Sequence, residues 1–376
     1  MNLQIKNIKL LGDKAIWTSV FSLSLFSLLL VYSTEGISDL IRHGFKLFLG
    51  IFCMYIVHKI KFKYFSKLGQ LSYFISVILL ILVFVIGVSV NGASRWLSIA
   101  GQQFQPSDIA KIAVLVFMAR QISKNRDRIN KFSIFFLHVL SPLLLICILV
   151  LPNNFSTSAL IFINGLVLMF VSKVRFKFLI SIFFTAIFTM FSIYFLAKYT
   201  SLGSSVIPRS YTWVSRFDAF LFDKEGDEQT KDYQQNQAYV AIQNGGFIGL
   251  GPGKSTQKSI LPYSSSDFIF AIVIEEYGLI GASFLLLLYL ILLFRSIRIY
   301  LRTESMFARL VTISLMFGIV FQALINMLVS VGIMPVTGQT LPLISMGGTS
   351  IVFTCIALGI ILSISQDASD RSYEKI

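Results

Sequence analysis

The sequence predicts an all-α, polytopic integral membrane protein with about ten transmembrane helices. Of its 376 residues, 55% are apolar and only 13% are charged, whereas soluble domains carry about 25% charged residues. Apolar runs long enough to cross a bilayer, roughly 20 residues each, recur along nearly the whole chain. These runs do not alternate between polar and apolar residues, which argues against a transmembrane β-barrel. The composition also excludes a soluble enzyme, a disordered chain and a fibrous protein.

The ten predicted spans are continuous apolar runs separated by polar or basic segments. Their approximate bounds are 15–32, 43–58, 71–88, 107–120, 132–151, 156–171, 178–197, 267–294, 307–331 and 345–364. The second and fourth runs are short and carry charged residues. We expect one transmembrane domain over residues 1–376, with a large extracytoplasmic loop at 198–266 between the seventh and eighth helices.

The basic residues predict the orientation of the chain. Alternate loops between the spans hold 21 of the 32 Lys and Arg residues, and the positive-inside rule places these loops in the cytoplasm. Both termini are then cytoplasmic, which requires an even number of spans. The same distribution argues against nucleic-acid binding as the reason for the net charge of +14. The three Cys and three His residues form no pattern of a disulfide framework or a metal site.

Three acidic residues lie at or near the start of the eighth span. Asp267 opens this span, where a carboxylate is either a first-turn acid stabilised by the helix dipole or a general base at the outer interface. Glu275 and Glu276 follow eight and nine residues later, which is about 12 to 14 Å deeper in a helix. Because they are adjacent, they cannot face the same way, and at least one is expected to point into the bundle and pair with a cation or a hydrogen-bond donor. A structural role and a functional role are both open for this pair.

A second group of charged residues surrounds the start of the fourth span. Arg95 and Trp96 precede the sequence QPSDIAK, in which Asp108 and Lys111 are three residues apart and can share one helix face. One interpretation is a self-neutralising pair that helps a short helix to insert. The alternative is a cationic site in which Arg95 and Lys111 bind an anionic head group and Asp108 orients Lys111.

Two uncharged or glycine-rich segments complete the candidates. Residues 334–350, MPVTGQTLPLISMGGTS, contain two prolines and three glycines and predict a re-entrant segment that lines a site, with Ser345 as a substrate-binding candidate; a plain tight loop is the alternative. Residues 243–256, QNGGFIGLGPGKST, superficially look like a phosphate-binding loop. The Walker A pattern needs glycine where this chain has Ile248, so we reject a nucleotide site and expect the glycines to permit tight turns or close approach of backbone.

Three long motifs in this order resemble the SEDS family of cell-wall polymerases, the FtsW, RodA and SpoVE group. The matching segments are NGASRWLSIAGQQFQPSDIAK (91–111), QAYVAIQNGGFIGLGPGKSTQKSILPYSSSDFIFAIVIEEYGLIG (237–281) and MPVTGQTLPLISMGGTS (334–350). Within the family, the fragments GPGKSTQ and PVTGQTLPLISMGGTS look closer to the division branch, FtsW, than to the elongation branch, RodA.

The resemblance implies a peptidoglycan glycosyltransferase that joins lipid II disaccharides at the outer membrane face and releases undecaprenyl pyrophosphate. It places the catalytic aspartate at Asp267 and the family's Arg-Trp and Pro-Ser-acid…Lys residues at Arg95, Trp96, Asp108 and Lys111. The acid is Asp108 where the family usually has glutamate, so the acid of this ion pair is one methylene shorter.

The resemblance also implies a setting for the reaction. It points to the bacterial cytoplasmic membrane at the division septum, with lipid II, membrane lipid, a class B penicillin-binding protein and other divisome proteins as partners. A divalent cation, Mg or Mn, could supplement the basic residues, although we find no carboxylate cage for a metal. A lipid II flippase or transporter and a non-catalytic division scaffold are the alternatives.

Overall fold

The structure, a computed structural model, describes residues 11–90, 93–99, 102–199, 213–216, 218, 231–262 and 264–374, and within this part of the chain all ten predicted spans are helices. Most of the first half of the predicted loop 198–266, residues 200–212, 217 and 219–230, lies outside the described residues. The helices are α1 (Lys14–Glu35), α2 (Ile37–Val57), α3 (Phe65–Ile86), α4 (Pro106–Lys124), α5 (Phe132–Val150), α6 (Phe155–Val171), α7 (Phe176–Tyr199), α8 (Lys231–Gly245), α9 (Ile269–Arg302), α10 (Met306–Ser330) and α11 (Ser350–Glu374).

The prediction of a polytopic helical membrane protein is confirmed. In the described part of the chain, eight helices are long and apolar enough to cross a bilayer. Helices α4 and α6 are the other two predicted spans. Helix α4 carries Asp108, Lys111, Arg120 and Lys124, and α6 has 17 residues, so both fall short of an independent apolar span. Their insertion depends on packing against neighbouring helices.

The helices pack around α10, which is the most buried span. In its most apolar stretch 72% of the residues are buried, against 6% in α7, which contacts mainly α6. Helix α10 packs against α4, α6, α9 and α11, while α2 packs along α11 and α3 along α4. Helices α1, α3, α5 and α10 end at the same end of the bundle, which we call the site end. The opposite end, which we call the basic end, holds loops 58–64, 125–131, 172–175 and 303–305.

A small antiparallel sheet, which the sequence analysis did not predict, joins α3 to α4 at the site end. Strands β1 (Val88–Val90), β2 (Ala93–Ile99) and β3 (Gln102–Phe104) are adjacent in chain order, with Val88 opposite Trp96 and Leu97 opposite Phe104. Two residues separate each pair of strands in the sequence, Asn91-Gly92 and Ala100-Gly101. Links of this length that contain glycine favour tight hairpins, so the sequence did contain the signal.

Helix α9 is interrupted at Gly278, and the glycine-rich segment explains the interruption. Gly278 has φ 65° and ψ −166°, a backbone conformation that is essentially restricted to glycine. The segment after α8 fits into the break: the amides of Leu250 and Gly251 donate to the carbonyls of Glu275 and Glu276 at 2.8 and 2.9 Å. In return, the amide of Leu279 donates to the carbonyl of Gly246 at 3.1 Å. The glycines therefore permit close approach of backbone to another part of the same chain.

The segment between α10 and α11 leaves the helical conformation inside the bundle. The hydroxyl of Ser27 donates to the carbonyl of Ile344 at 2.7 Å, and Ser27 lies eight residues, about 12 Å, before the end of α1. Irregular backbone at this depth needs partners from the protein, because lipid offers none. Further carbonyls of the segment accept hydrogen bonds from Gln322, Asn326 and Tyr289. The predicted re-entrant character of residues 334–350 is confirmed.

Candidate active site

Asp267 lies in a turn two residues before α9, not in the first turn of the helix as expected from the sequence. Its backbone carbonyl accepts a hydrogen bond from Nδ2 of Asn326 on α10 at 2.8 Å. Its carboxylate faces the re-entrant segment, where a Cβ added to Gly338 would lie 3.5 Å from Oδ2. Gly338 has φ 64°, so both its conformation and the space beside Asp267 suit glycine.

Burial and two guanidinium groups act in opposite directions on the Asp267 carboxyl. Burial raises its pKa above the ordinary value, and the positive charges of Arg216 and then Arg95 lower it. Burial is the larger effect, so the pKa of Asp267 is raised, whereas a first-turn position at a helix N-terminus would have lowered it. The result is a carboxylate of increased basicity beside two cations that favour its ionised form.

Arg216 was not among the residues predicted from the sequence. It comes from the long loop, in helical residues 213–216, and its Nη1 donates to the carbonyl of Val336 in the re-entrant segment at 3.1 Å. The rings of Trp213 and Phe155 are 5.0 Å apart, and Asp218 forms an ion pair of 2.9 Å with Lys198 at the end of α7. These contacts on either side fix Arg216. Its sequence signal is weak, a lone cation among aromatic residues in a polar loop.

Arg95 reaches the site from strand β2. It lines a cavity with Gln105 and Ser107 at the start of α4 and with Asn154 at the start of α6. The neighbouring Trp96 lies on the re-entrant segment, since a Cβ added to Gly348 would be 3.6 Å from its ring. The sheet therefore positions both residues of the Arg-Trp pair at the site end.

Asp108 and Lys111 form the predicted ion pair on α4, with Nζ 3.1 Å from Oδ1. Lys111 also donates to Oε1 of Gln322 on α10 at 3.3 Å, and the hydroxyl of Thr349 donates to Oδ2 of Asp108 at 3.2 Å. Gln322 lies one turn from Asn326, so adjacent turns of α10 hold Lys111 and the Asp267 turn. The ion pair and the aspartate therefore belong to one hydrogen-bonded network.

Ser345 lies inside the protein and connects two loops. Its hydroxyl donates to the carbonyl of Ser266 at 2.6 Å and accepts from the amide of Leu341 at 2.7 Å. The amide of Met346 donates to the carbonyl of Ser265 at 2.8 Å beside it. Both loops are thereby fixed next to Asp267. The hydroxyl has no surface open to a ligand, so the structure gives Ser345 a positioning role in place of the expected substrate contact.

Glu275 and Glu276 are 0% and 1% exposed and accept hydrogen bonds inside the protein. The carboxylate of Glu275 accepts from the amide and hydroxyl of Thr256 at 3.1 and 2.7 Å and from the hydroxyl of Ser255. Glu276 accepts from the hydroxyl of Ser33 on α1. The expectation that at least one of the pair finds a hydrogen-bond donor inside the bundle is confirmed. Of the two roles left open by the sequence, these contacts favour the structural one over a functional one such as substrate binding.

The arrangement combines a base with cations at one end of the bundle. Asp267 can accept a proton, and Arg95, Arg216 and Lys111 can stabilise negative charge on a bound group. Among the described residues, no group of three His, Cys, Asp or Glu side chains is placed to hold a metal ion. This combination suits a transfer reaction in which a hydroxyl is deprotonated and an anionic group leaves.

Comparison with known proteins identifies the family. The FTSW_RODA_SPOVE family model, described as "Cell cycle protein", matches residues 13–370. A relative from Hydrogenovibrio crunogenus, named "Probable peptidoglycan glycosyltransferase FtsW", is 34% identical over 342 residues, which cover 89% of this chain and 84% of the relative. A relative of the same name from Geobacter metallireducens is 31% identical over 382 residues, covering 97% of this chain and 98% of the relative.

Solved structures share the fold. A chain from a study described as "Structural coordination of polymerization and crosslinking by a peptidoglycan synthase complex" has a TM-score of 0.79 and 24% identity, covering 96% of this chain and 99% of that one. The rod shape determining protein RodA of Thermus thermophilus has a TM-score of 0.69 and 23% identity, covering 95% and 98%. The resemblance seen in the sequence motifs is therefore confirmed, and the chain belongs to the FtsW, RodA and SpoVE family of cell cycle proteins.

Proposed function

We propose that this protein is a peptidoglycan glycosyltransferase that polymerises lipid II into glycan strands for the septal wall. Its relatives carry the name of this activity. The observation that supports it most directly is the half-buried Asp267 carboxylate, whose pKa is lowered by the charges of Arg216 and Arg95 against the effect of burial, at one end of a membrane-spanning bundle. A reaction on a lipid-linked pyrophosphate needs a base and cations at such a place.

Asp267 acts as the general base. A sugar hydroxyl of the acceptor attacks the anomeric carbon of the donor, and the carboxylate takes the proton from that hydroxyl as the new glycosidic bond forms. A raised pKa makes the carboxylate a stronger base, while the two guanidinium groups keep it available in the ionised form. The hydrogen bond from Asn326 and the Ser345 connection hold the turn in position for this step.

The cations stabilise the leaving group. The bond between the anomeric carbon and the pyrophosphate oxygen breaks, and negative charge grows on the undecaprenyl pyrophosphate. Arg95 and Lys111 are the groups we assign to this charge, and Asp108 orients the ammonium group of Lys111 at 3.1 Å. We extend this assignment to Arg216, which the long loop supplies.

We assign no step to a divalent cation. The donor set offers no carboxylate cage among the described residues, so an Mg or Mn ion would have to rely on the substrate pyrophosphate and water for most of its ligands. Such an ion would supplement the basic residues. Polymerisation measured with and without a chelator tests this.

The site end faces the outside of the bacterial cytoplasmic membrane in this proposal, and both termini are cytoplasmic. The basis is the bias of Lys and Arg towards the basic end. A class B penicillin-binding protein, which cross-links the strands, is the proposed partner, and the complex works with other divisome proteins at the septum. One solved structure with this fold is described as a peptidoglycan synthase complex.

The test is polymerisation by purified protein. The full chain, alone and with its transpeptidase, is incubated with labelled lipid II, and the products are separated by gel electrophoresis. The proposal predicts long glycan strands. A flippase would instead move lipid II across proteoliposomes without polymerising it, and a scaffold would do neither. Absence of strands under both conditions, with lipid II transport present, would favour the flippase.

A further inference from the structure

A cavity of about 310 Å³ opens at the basic end of the bundle, far from Asp267. Three segments enclose it: the loop after α4, the turn between α6 and α7, and the turn between α9 and α10. Its polar lining includes Arg126, Asn130, Lys173, Tyr300, Glu304 and Arg309. Its volume is at the lower limit of small-molecule pockets. Nothing in the proposed polymerisation uses it.

The lining of the cavity is positively charged. Arg126, Lys173 and Arg309 share the lining with one carboxylate, Glu304, which leaves two positive charges in excess. None of these three cations forms a salt bridge with any part of the chain that the structure describes. Three like charges around one cavity repel each other unless an anion lies between them. The lining therefore predicts an anionic ligand.

Arg309 is held in a geometry that suits a phosphate. Its guanidinium carbon lies 4.5 Å from the centre of the Tyr300 ring, so the guanidinium makes a cation–π contact with this ring. Its Nε is buried and has no hydrogen-bond partner in the described structure. A guanidinium stacked on an aromatic ring keeps its N–H groups in its own plane, where they match the oxygens of a phosphate. A buried N–H without a partner is costly, and an acceptor in the cavity would satisfy it.

Two helix ends lie at the cavity. Lys173 has φ 59° because it ends α6 in a left-handed turn, in which the amide of Val174 donates to the carbonyl of Met169 at 3.3 Å. Helix α10 begins at Met306 beside the cavity, and its N-cap residue Ser305 makes no side-chain capping bond. The first amides of α10 are therefore available to an anion.

The surroundings identify which anion fits. Large apolar side chains lie within three residues of the lining and are 63–69% exposed; they are Phe132, Phe170, Phe176 and Leu301. A soluble phosphate would gain nothing from these apolar side chains. A phospholipid would place its head group in the cavity and its acyl chains along these side chains. Basic pockets between helices at this level bind anionic lipid head groups in other membrane proteins.

We propose that this cavity is a binding site for the phosphate of an anionic phospholipid, formed by Arg126, Lys173 and Arg309. The site is independent of the polymerisation site at the other end of the bundle. Each cation near an anionic lipid is expected to strengthen binding about fivefold. Loss of Lys173 and Arg309 together should therefore weaken binding about 25-fold.

The test uses full-length protein in detergent, titrated with dioleoyl phosphatidylglycerol and followed by native mass spectrometry of the bound lipid. We expect about fivefold weaker binding for Arg126→Ala and about 25-fold weaker binding for the double variant Lys173→Ala/Arg309→Gln. The matched control is Arg298→Ala. Arg298 lies at the same end of α9, over the Phe294 ring, but it does not line the cavity. This variant should bind phosphatidylglycerol like the wild type.

Two further arms identify the ligand. Dioleoyl phosphatidylcholine, which has the same chains but no net charge, should bind at least tenfold more weakly, and millimolar inorganic phosphate should not compete. Competition by inorganic phosphate would overturn the lipid assignment in favour of a soluble anion. Equal lipid binding by Arg126→Ala, Arg298→Ala and the wild type would overturn the site itself and favour an acidic segment of a partner protein. Arg126 is exposed, so its variant tests the proposal even if the double variant does not fold.

Discussion

At the scale of single residues, the chemistry of the site depends on how the surrounding groups shift the pKa of the Asp267 carboxyl. The sequence predicted Asp267, Arg95 and Lys111, because charged residues beside apolar spans are costly and rarely without a role. It could not predict Arg216, since a long polar loop gives no periodic pattern that would position one side chain. The sequence also could not show that Glu275 has a structural role, because its hydrogen-bond partners, Ser255 and Thr256, lie in a loop about 20 residues earlier.

The charge of Arg216 predicts a shift in the pH dependence of polymerisation. Activity requires ionised Asp267, so the acidic limb of the pH–rate profile follows its pKa. Arg216 lowers this pKa. In Arg216→Gln the pKa therefore rises, and the acidic limb moves to higher pH. In Arg216→Lys, which keeps the charge, the limb should stay close to that of the wild type. Identical acidic limbs in Gln and Lys variants would contradict this electrostatic role.

The cations should contribute to the rate more than to folding. Arg95→Ala or Lys111→Ala removes one charge contact from the transition state, which typically costs about 2.7–4 kcal/mol, or roughly 10²–10³ in rate. Strand synthesis at low lipid II concentration measures this. Arg42→Ala is the control, because Arg42 forms an exposed ion pair with Asp39 at the same end of the bundle. Wild-type rates in both site variants would refute the leaving-group assignment, and loss of expression would support a structural role.

At the scale of elements, apolar length predicted the helices well, and interruptions were harder to predict. Ten spans could be read because about 20 apolar residues must cover the bilayer. The break in α9 could not, because the segment that fills it, Gly246–Gly251, comes from a different part of the chain. The strands between α3 and α4 were missed because their hairpin signals are short and lie in a loop that the span analysis left unassigned.

Gly278 should be intolerant of any side chain. An added Cβ would clash with the carbonyl oxygen of Phe247, and the backbone conformation at Gly278 costs other residues about 1–3 kcal/mol before that clash is counted. We expect Gly278→Ala to lower the thermal unfolding midpoint in detergent by several degrees. Gly44→Ala on α2 is the control, since its Cβ would meet only a Leu28 methyl at 3.6 Å. Equal midpoints for both variants would contradict the inserted-segment interpretation.

At the scale of the whole molecule, the fold separates two ends of the bundle, and the basic residues are concentrated at one of them. In the described part of the chain, the ten predicted spans place residues 58–64, 125–131 and 303–305 at one end and the Asp267 turn at the other. The bias of 21 in 32 basic residues was readable from the sequence because short loops obey the positive-inside rule. Burial of each span was not readable, because periodicity in a membrane protein does not reveal which apolar face meets lipid.

Cysteine labelling tests this orientation. In a background without Cys53, Cys147 and Cys355, a membrane-impermeant thiol reagent added to intact cells should label Ser259→Cys and not Arg128→Cys. Both positions are exposed in the structure, Ser259 near the site end and Arg128 at the basic end. Permeabilised cells provide the control, in which both should react. The opposite pattern in intact cells would place the site end in the cytoplasm and exclude lipid II polymerisation outside.

The central claim is that Asp267 is the base, and Asp267→Asn tests it most directly. The variant keeps the size and polarity of the side chain but cannot accept the proton. Asp39→Asn, which changes an aspartate in the exposed ion pair at the same end, is the control. With labelled lipid II on a gel, the account predicts that Asp267→Asn makes almost no strands while still binding lipid II and the transpeptidase, and that Asp39→Asn polymerises normally. Long strands from Asp267→Asn at a near-normal rate would contradict the account, because the base would then lie elsewhere.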